Sequence, residues 1–277
     1  VNLKIALSIP QQDGRLSEDD RNALLKKLTP DVARLVLATN YEQPRAISLI
    51  ELRGAEEIGF ARRLLNVLEG AGRLDRGIEY LPDDAELAAR EKRGEGLSRP
   101  EIAVLLAYAK LALYDAILDS PVPDDPFVAR ELVRYFPLEL SERFPDAIAH
   151  HRLRREIIAT RLSNTIVNLA GPSIATRIAD QTGAGVQTLT AAFIAVWSAF
   201  GLEALVAGID ALDTRIGQHA GQVSGATQLS LYAELQDQLI NLVTWFSRNI
   251  DFTAEGLEAV VERYRAGVRD VSGAIDR

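Results

Sequence analysis

The sequence predicts an all-α protein, a multi-helix bundle with a buried central helix at about 96–118. Three observations carry this expectation. Helix starts recur along the chain as a capping side chain followed by proline or acid, in Ser17-Glu18-Asp19-Asp20, Thr29-Pro30-Asp31 and Ser98-Arg99-Pro100-Glu101. The apolar residues between them fall at three- and four-residue spacing, with almost no period-two alternation. The stretch from Ile102 to Ala109 carries no charge and is continued by Leu111, Leu113, Ile117 and Leu118. A helix apolar nearly all round belongs among other helices.

Taken in order, Val1–Ile9 is too short for its spacing to decide between a strand end and a short helix, and Pro10 to Gly14 reads as a turn. Ser17 caps a helix to about Leu28, with Glu18, Asp19 and Asp20 at its positive end. A helix from Thr29 carries Val32, Leu35, Val36 and Ala38 until Asn40 and Pro44 interrupt it. Helical spacing resumes over Ile47–Leu52 and Ile58–Leu68, and Gly70 and Gly72 end it. Arg73 to Gly96 is polar, with a short helix started at Pro82-Asp83-Asp84 and ended by Gly94. This stretch is the best boundary between an N-terminal helical segment, 1–95, and a C-terminal helical domain, 96–277, which would make two helical subdomains.

Ser98 and Glu101 then form a capping box with Pro100 in the first turn, and Pro121 and Pro123 stop the central helix. Asp125-Pro126 caps a short helix to about Val133, and Pro137 and Pro145 bracket another. Asp146–Leu169 reads as one long helix whose stripe includes Ile148, Ile157, Ile158, Leu162 and Ile166, broken by Gly171-Pro172. Helices at Ile174–Thr182, Val186–Phe200 and Leu202–Ile216 follow, then a polar loop from Gly217 to Ala226. Helices at Leu229–Ile250 and Glu255–Val271 complete the chain.

Composition narrows the function classes. The 277 residues suffice for one large or two modest domains, and 47% hydrophobic with 25% charged residues is ordinary for a globular protein. A net charge of −8 argues against general nucleic-acid binding, which needs a positive field. The absence of Cys removes disulfides, thiolate nucleophiles and Cys-ligated metals, and fits a cytoplasmic setting. No residue from Gln181 to Leu202 is charged, but the solidly apolar part runs only from Ala191 to Val196. A membrane span needs about 20 such residues, so none is expected. The chain opens without Met and without a signal-peptide pattern, and the expectation is a piece of something longer.

The search for chemistry is short. No Gly-Lys-Ser/Thr phosphate loop occurs, and Gly183-Ala184-Gly185 lacks the third glycine and the preceding strand of a dinucleotide site, so it reads as a helix–helix turn. No Gly-x-Ser-x-Gly is present, and the histidines are His150, His151 and His219. His150 and His151 are neighbours on an expected helix, where side chains diverge by about 100° and cannot share a metal. Asp146, four residues before His150, reads as its charge partner. Asp210 and Asp213 share a face and, without a further carboxylate, read as solvated acid. Two stretches imitate helix-turn-helix modules, Ile178 to Ala184 with the helix after it and the central stretch itself. The first has no Arg, Lys or Asn on its reading helix, and the second would read with core residues, so DNA binding is the weaker reading.

Against the acidic background, Arg152, Arg154, Arg155 and Arg161 make a local positive patch. The plain reading is an exposed face paired with Glu156 and its neighbours. The sharper one is a docking or anion-binding surface, which the guanidinium fork suits. No catalytic, cofactor-binding or metal-binding set emerges.

The run from Gly96 to Lys110 resembles the C-terminal region of the large bacterial NAD-specific glutamate dehydrogenases. The likeness extends through Asp124-Asp125-Pro126, Ala129 to Pro137, Arg143 to Ile148 and His151 to Thr160, and more loosely through Ile178 to Ala184 and Trp197 to Leu212. Upstream, Val1 to Ile5, Arg21 to Leu25 and Gly72 to Arg76 also fit. It departs at Asn168-Leu169-Ala170-Gly171, where the family tends to carry Asn-Arg-Gly-Gly, and in a longer connection at Gly217 to Ala226. The resemblance implies a parent enzyme that oxidatively deaminates L-glutamate to 2-oxoglutarate and ammonia with NAD as hydride acceptor. It also implies that the family's catalytic Lys and Asp and its nucleotide-binding segment precede Val1, and that Val1–Ile9 is the edge of the catalytic domain. No catalytic residue carries over to this chain, and no cofactor is expected in it. Its expected partners are the remainder of the dehydrogenase chain and other copies of the parent in a homo-oligomer, not nucleic acid or membrane. Two functional readings remain: a noncatalytic region serving assembly, support or regulation of the dehydrogenase, and an independent helical interaction module.

Overall fold

The computed structural model describes residues 1–212 and 223–275, and every regular element among them is a helix. α1 (Asn2–Gln12), α2 (Glu18–Lys27) and α3 (Thr29–Arg53) open the chain. The undecided Val1–Ile9 is thus helical, and α1 runs on through Pro10 instead of turning there. Pro10 costs one backbone bond, but Ala6, Leu7 and Pro10 are all buried, and that packing outweighs a single bond in the last turn. α3 likewise continues through Asn40 and Pro44, because Ala46, Leu49 and Ile50 beyond the proline are buried and hold the following turns in line. Ser17 caps α2 as its sequence implies, its Oγ accepting from the Asp20 N–H at 3.1 Å. Thr29 is no cap: its hydroxyl donates back to the Leu25 carbonyl at 3.1 Å.

α3 ends at Gly54, whose φ of 55° suits glycine, and a short 3-10 turn leads into α4 (Ile58–Gly70). A Cβ placed on Gly96 would lie 2.8 Å from the Gly54 Cα, so the chain entering the central helix crosses the end of α3 backbone to backbone. The polar stretch before α5 (Asp84–Arg93) is pinned by the buried Arg76, which pairs with Glu69 at 2.8 Å and Asp84 at 2.7 Å. Asp83 caps α5 by accepting from the Glu86 N–H at 2.8 Å.

α6 (Arg99–Leu118) is the central helix of the prediction. Its capping box is present, with the Ser98 N–H donating to Glu101 Oε2 at 2.7 Å. It buries Ile102, Leu105, Leu106, Ala109, Leu113 and Ile117, while one edge, Ala103, Ala107 and Leu111, reaches the surface.

α7 (Ala129–Tyr135) begins later than expected, because Asp125 Oδ1 accepts from the Phe127 N–H at 2.8 Å and makes a turn ahead of it. After α8 (Leu138–Arg143), the single helix expected over Asp146–Leu169 is two, α9 (Pro145–Ala149) and α10 (Arg154–Ala170). His151 makes the break. Its Nδ1 accepts from the Leu153 N–H at 3.1 Å, and its Nε2 meets the Asn2 carbonyl at 3.1 Å. The Asp146 carboxylate pairs with Arg15 at 2.8 Å, while His150 Nδ1 lies 2.9 Å from the Asp146 backbone carbonyl. The expected local charge pair is therefore replaced by a long-range one.

The chain closes with α11 (Ile174–Thr182), α12 (Val186–Ala199), α13 (Leu202–Asp210), α14 (Gly225–Asn249), α15 (Phe252–Glu255) and α16 (Leu257–Ile275). α14 starts four residues before the expected Leu229, where the Ser224 hydroxyl accepts from the Thr227 N–H at 3.0 Å. Asp213, His219, Gly217 and the rest of 213–222 lie outside the described residues. Every residue of α12 from Leu189 to Val196 is buried, under α6, α14 and α16. No single described helix is long and apolar enough to cross a membrane. α12 and α13 pass that test together but are bent by 70°. One apolar cluster runs from Ala6 to Val261 through α1–α4, α6, α10 and α12.

Two tests follow from this packing. Leu106→Asp places an unpaired charge in the core and is expected to abolish cooperative unfolding, whereas Leu111→Asp, on the exposed edge of the same helix, should shift urea stability by no more than about 0.5 kcal/mol. Equal effects at both positions would mean that α6 does not use one face. The second test concerns His151, whose two bonds admit only the neutral ring with hydrogen on Nε2. Burial, reinforced by Arg152, holds its pKa below the ordinary 6.5, against the opposing Asn2 bond and Glu156. The unfolded chain therefore takes the proton first. This contribution is full above about pH 6.5 and shrinks as pH falls from there towards the lower folded value. His151→Asn keeps a bond acceptor without titrating, and its melting temperature should fall less than the wild type's between about pH 7.5 and 5.5.

Candidate functional site

The four arginines picked from sequence do not act as one surface. Arg154 pairs with Asp124 at 2.6 Å, and Arg155 pairs with the same carboxylate while donating to the Leu118 carbonyl at 2.6 Å and the Ser120 carbonyl at 3.1 Å. Together they clamp the turn after α6, and Arg155 satisfies the last carbonyl of that helix, where a cation also suits the helix dipole. Arg152 is exposed and makes no ion pair or hydrogen bond among the described residues. Arg161, two turns along α10, faces a different place.

That place is a cavity of about 240 Å³ between α3, α7, α10, α12 and α13. Its centre of charge is Glu131 on α7, which is 8% exposed and faces three guanidinium groups: Arg134 at 3.2 Å, Arg161 at 3.3 Å and Arg130 at 3.8 Å. Arg134 also reaches Glu203 at 2.8 Å. Arg130 lies 3.9 Å over the Phe127 ring and donates to Ser198, and its burial pulls its pKa below the usual guanidinium range. On the α3 side, Arg45 pairs with Asp210 at 3.0 Å and stacks 4.6 Å over the Tyr232 ring. Tyr232 donates to the same Asp210 oxygen, and burial with that bond raises its hydroxyl pKa. Asp210, read from sequence as solvated acid, is thus committed to two partners. Asn168, 1% exposed, donates from Nδ2 to Glu42 at 3.2 Å.

Chemically, the arrangement offers charge recognition, with rigid forks and carboxylates fixed round a small space. Of its residues, sequence reasoning singled out Arg161 and Asp210 and missed Glu42, Arg45, Glu131, Arg134 and Asn168. Asn168 had a signal, a lone amide in the apolar run Ile166 to Ala170.

A larger groove of about 730 Å³ lies between the Pro121–Asp125 turn, the Thr182–Ala184 turn and Ser247–Leu257. Its acids are engaged within the fold: Asp124 by Arg154 and Arg155, Asp125 by the Phe127 N–H, and Asp251 by the Thr253 and Ala254 N–H groups. Gly183 ends α11 at φ 73° and Gly185 precedes α12, which is the helix–helix turn expected of Gly183-Ala184-Gly185. No group of three or more potential metal-binding side chains occurs among the described residues. α12 is too enclosed to enter a DNA groove.

Comparison with known proteins adds a family. Residues 94–277 match the family described as "Glutamate dehydrogenase, C-terminal", and residues 1–50 match "Bacterial NAD-glutamate dehydrogenase, catalytic domain". The chain is 40% identical over 249 residues to an NAD-specific glutamate dehydrogenase of Pseudomonas aeruginosa and 38% identical over 248 residues to one of Halomonas elongata. Each alignment covers 90% of this chain and 15% of the relative. A third such dehydrogenase, from Mycobacterium tuberculosis, is 36% identical over 73% of this chain and 12% of its own length.

Glu131→Gln keeps the shape but leaves three guanidinium groups round a neutral amide. It should cost on the order of 2 kcal/mol in denaturant unfolding, less than a fully buried pair because the arginines remain partly exposed. Restoration by raised salt, which screens the arginines from one another, would identify the loss as electrostatic, whereas a salt-independent loss would assign it to packing.

Proposed function

The chain belongs to the C-terminal glutamate dehydrogenase family, and from that premise we propose that it is the noncatalytic helical C-terminal part of an NAD-specific glutamate dehydrogenase, supporting the catalytic domain and the assembly of the enzyme. On this reading the parent converts L-glutamate, NAD and water to 2-oxoglutarate, ammonia and NADH in the cytoplasm. Hydride transfer takes place on the parent's catalytic domain, and other copies of the parent complete a homo-oligomer.

One observation carries the proposal: the segment matching the catalytic-domain family shares its core with the segment matching the C-terminal family. Ala6, Leu7, Leu16, Leu24 and Leu28 lie in the same apolar cluster as Leu132, Leu140 and Ile148. Polar contacts run along the same seam. Asn2 donates to the Tyr135 hydroxyl at 2.8 Å, Arg15 pairs with Asp146 at 2.8 Å, and Lys27 pairs with Glu139 at 2.7 Å. A shared apolar core of this kind, with polar pairs at its exposed rim, supports a fixed seat rather than a tethered module.

Two measurements test it. The purified 277-residue chain, given L-glutamate and NAD, should form no NADH; turnover would end the noncatalytic reading. In the full-length parent, Leu7→Asp should unseat α1 and lower glutamate-dependent NADH formation by roughly tenfold or more, with a change in oligomeric mass. A parent variant with wild-type turnover and mass would favour an independent interaction module.

A further inference from the structure

α3 is one helix in its backbone and two in its surroundings. Its second half is sealed: Arg45, Ala46, Leu49 and Ile50 are buried, and Ala46 and Ile50 belong to the shared apolar cluster. Over residues 29–44, by contrast, no residue is buried. Apolar side chains are not lacking there. Val32, Ala33, Leu35, Val36, Leu37 and Ala38 fill every place from 32 to 38 except that of Arg34, and no charge occurs between Arg34 and Glu42. Yet Val36 is 53% and Leu37 65% exposed. Among the described residues, none of Val32, Leu35, Val36 and Leu37 joins the cluster or packs against it.

Helical geometry spreads these side chains widely. At about 100° per residue, Val36 stands roughly a quarter-turn from Leu37, and Leu35 lies on the far side of the helix. Single apolar residues at a surface are ordinary, but a contiguous uncharged run marks a contact. A helix apolar nearly all round belongs among several neighbours, and one this short gains little from intrinsic propensity. A second copy laid alongside would cover one stripe and leave the others in water. Enclosure by a folded domain covers them all.

The family boundaries favour one such domain. The exposed run lies within residues 1–50, which match the catalytic-domain family, and not within 94–277. The two most fully aligned relatives extend far beyond the aligned part, which is 15% of each. The buried residues of α1, α2 and the second half of α3 face the C-terminal region, and the first half of α3 is left without cover. We propose that residues 29–44 are a docking surface for the remainder of the parent's catalytic domain, which closes round Val32 to Ala38. The 25 residues of α3, about 37 Å of helix, then run from one core into the other as a single strut. The proposal rests on the reading of the chain as part of a glutamate dehydrogenase.

The test compares the 277-residue chain with the full-length parent. The chain has no Cys, so Leu37→Cys gives it a single thiol at an exposed position. Labelling of position 37 by iodoacetamide, read by mass spectrometry of its peptide, should be slower in the parent than in the chain by about tenfold or more. Hydrogen exchange of the two wild-type proteins needs no variant, and over residues 32–38 it should slow in the parent by a similar factor; it decides the matter if the parent variant does not fold. Equal rates in chain and parent, with a wild-type parent that forms NADH from L-glutamate and NAD, would overturn the docking surface and leave the dehydrogenase reading standing. A parent without that turnover would end the dehydrogenase reading and this occupant with it. Protection of position 37 in the 277-residue chain that fades on dilution would give the face to a second copy and also overturn the proposal.

Discussion

The fold depends on α10 being a helix that cannot face water along most of its length and yet carries charge at fixed registers. Ile157, Ile158, Leu162, Ile166 and Val167 are buried, so α10 needs neighbours on several sides, and α3, α6, α7, α11, α12 and α14 all pack on it. Several of the polar side chains that emerge from that stripe are answered by a neighbouring element. Arg154 and Arg155 fix the turn after α6, Arg161 meets Glu131 on α7, and Asn168 meets Glu42 on α3. One helix thus sets both where the core lies and where the charged cavity opens.

The charge pattern follows the same logic. A chain of net charge −8 nevertheless gathers Arg130, Arg134 and Arg161 round a single glutamate. Arginine suits this because its planar fork can serve several acceptors at once and stays charged when partly buried. Such clusters contribute less to stability than an apolar core of equal volume, but they penalise any register in which a partner is missing. In a bundle of largely apolar helices, that penalty helps to choose one packing among several.

Much of the fold was legible because its signals are local. Ser17, Asp83 and the Ser98–Glu101 pair announce helix starts by chemistry that acts within one turn. The prolines misled because their cost is also local while their compensation is not: Pro10 and Pro44 lie inside helices held by distant packing. The break between α9 and α10 was out of reach for the same reason, since His151 answers to Asn2 across 149 positions. At the cavity, Glu42, Arg45 and Glu131 look like ordinary polar positions on amphipathic helices until the topology brings α3, α7 and α10 together. Asn168 alone stands out from its apolar surroundings in the sequence, and Arg161 is marked there by the neighbouring arginines, not by its spatial partner Glu131.

α12 has a consequence for how the chain is made. Its Leu189 to Val196 segment is covered largely by α14 and α16, which lie after it in the sequence. During synthesis from the N-terminus, this uncharged helix leaves the ribosome before its cover exists. At about 5–20 residues per second, the interval until α16 follows lasts several seconds. Through that interval Phe193, Ile194 and Val196 are sticky ends of an unfinished core. α14 and α16 therefore act as the closing step for this part of the core, and until they arrive the face of α12 that they cover is open to other apolar surfaces.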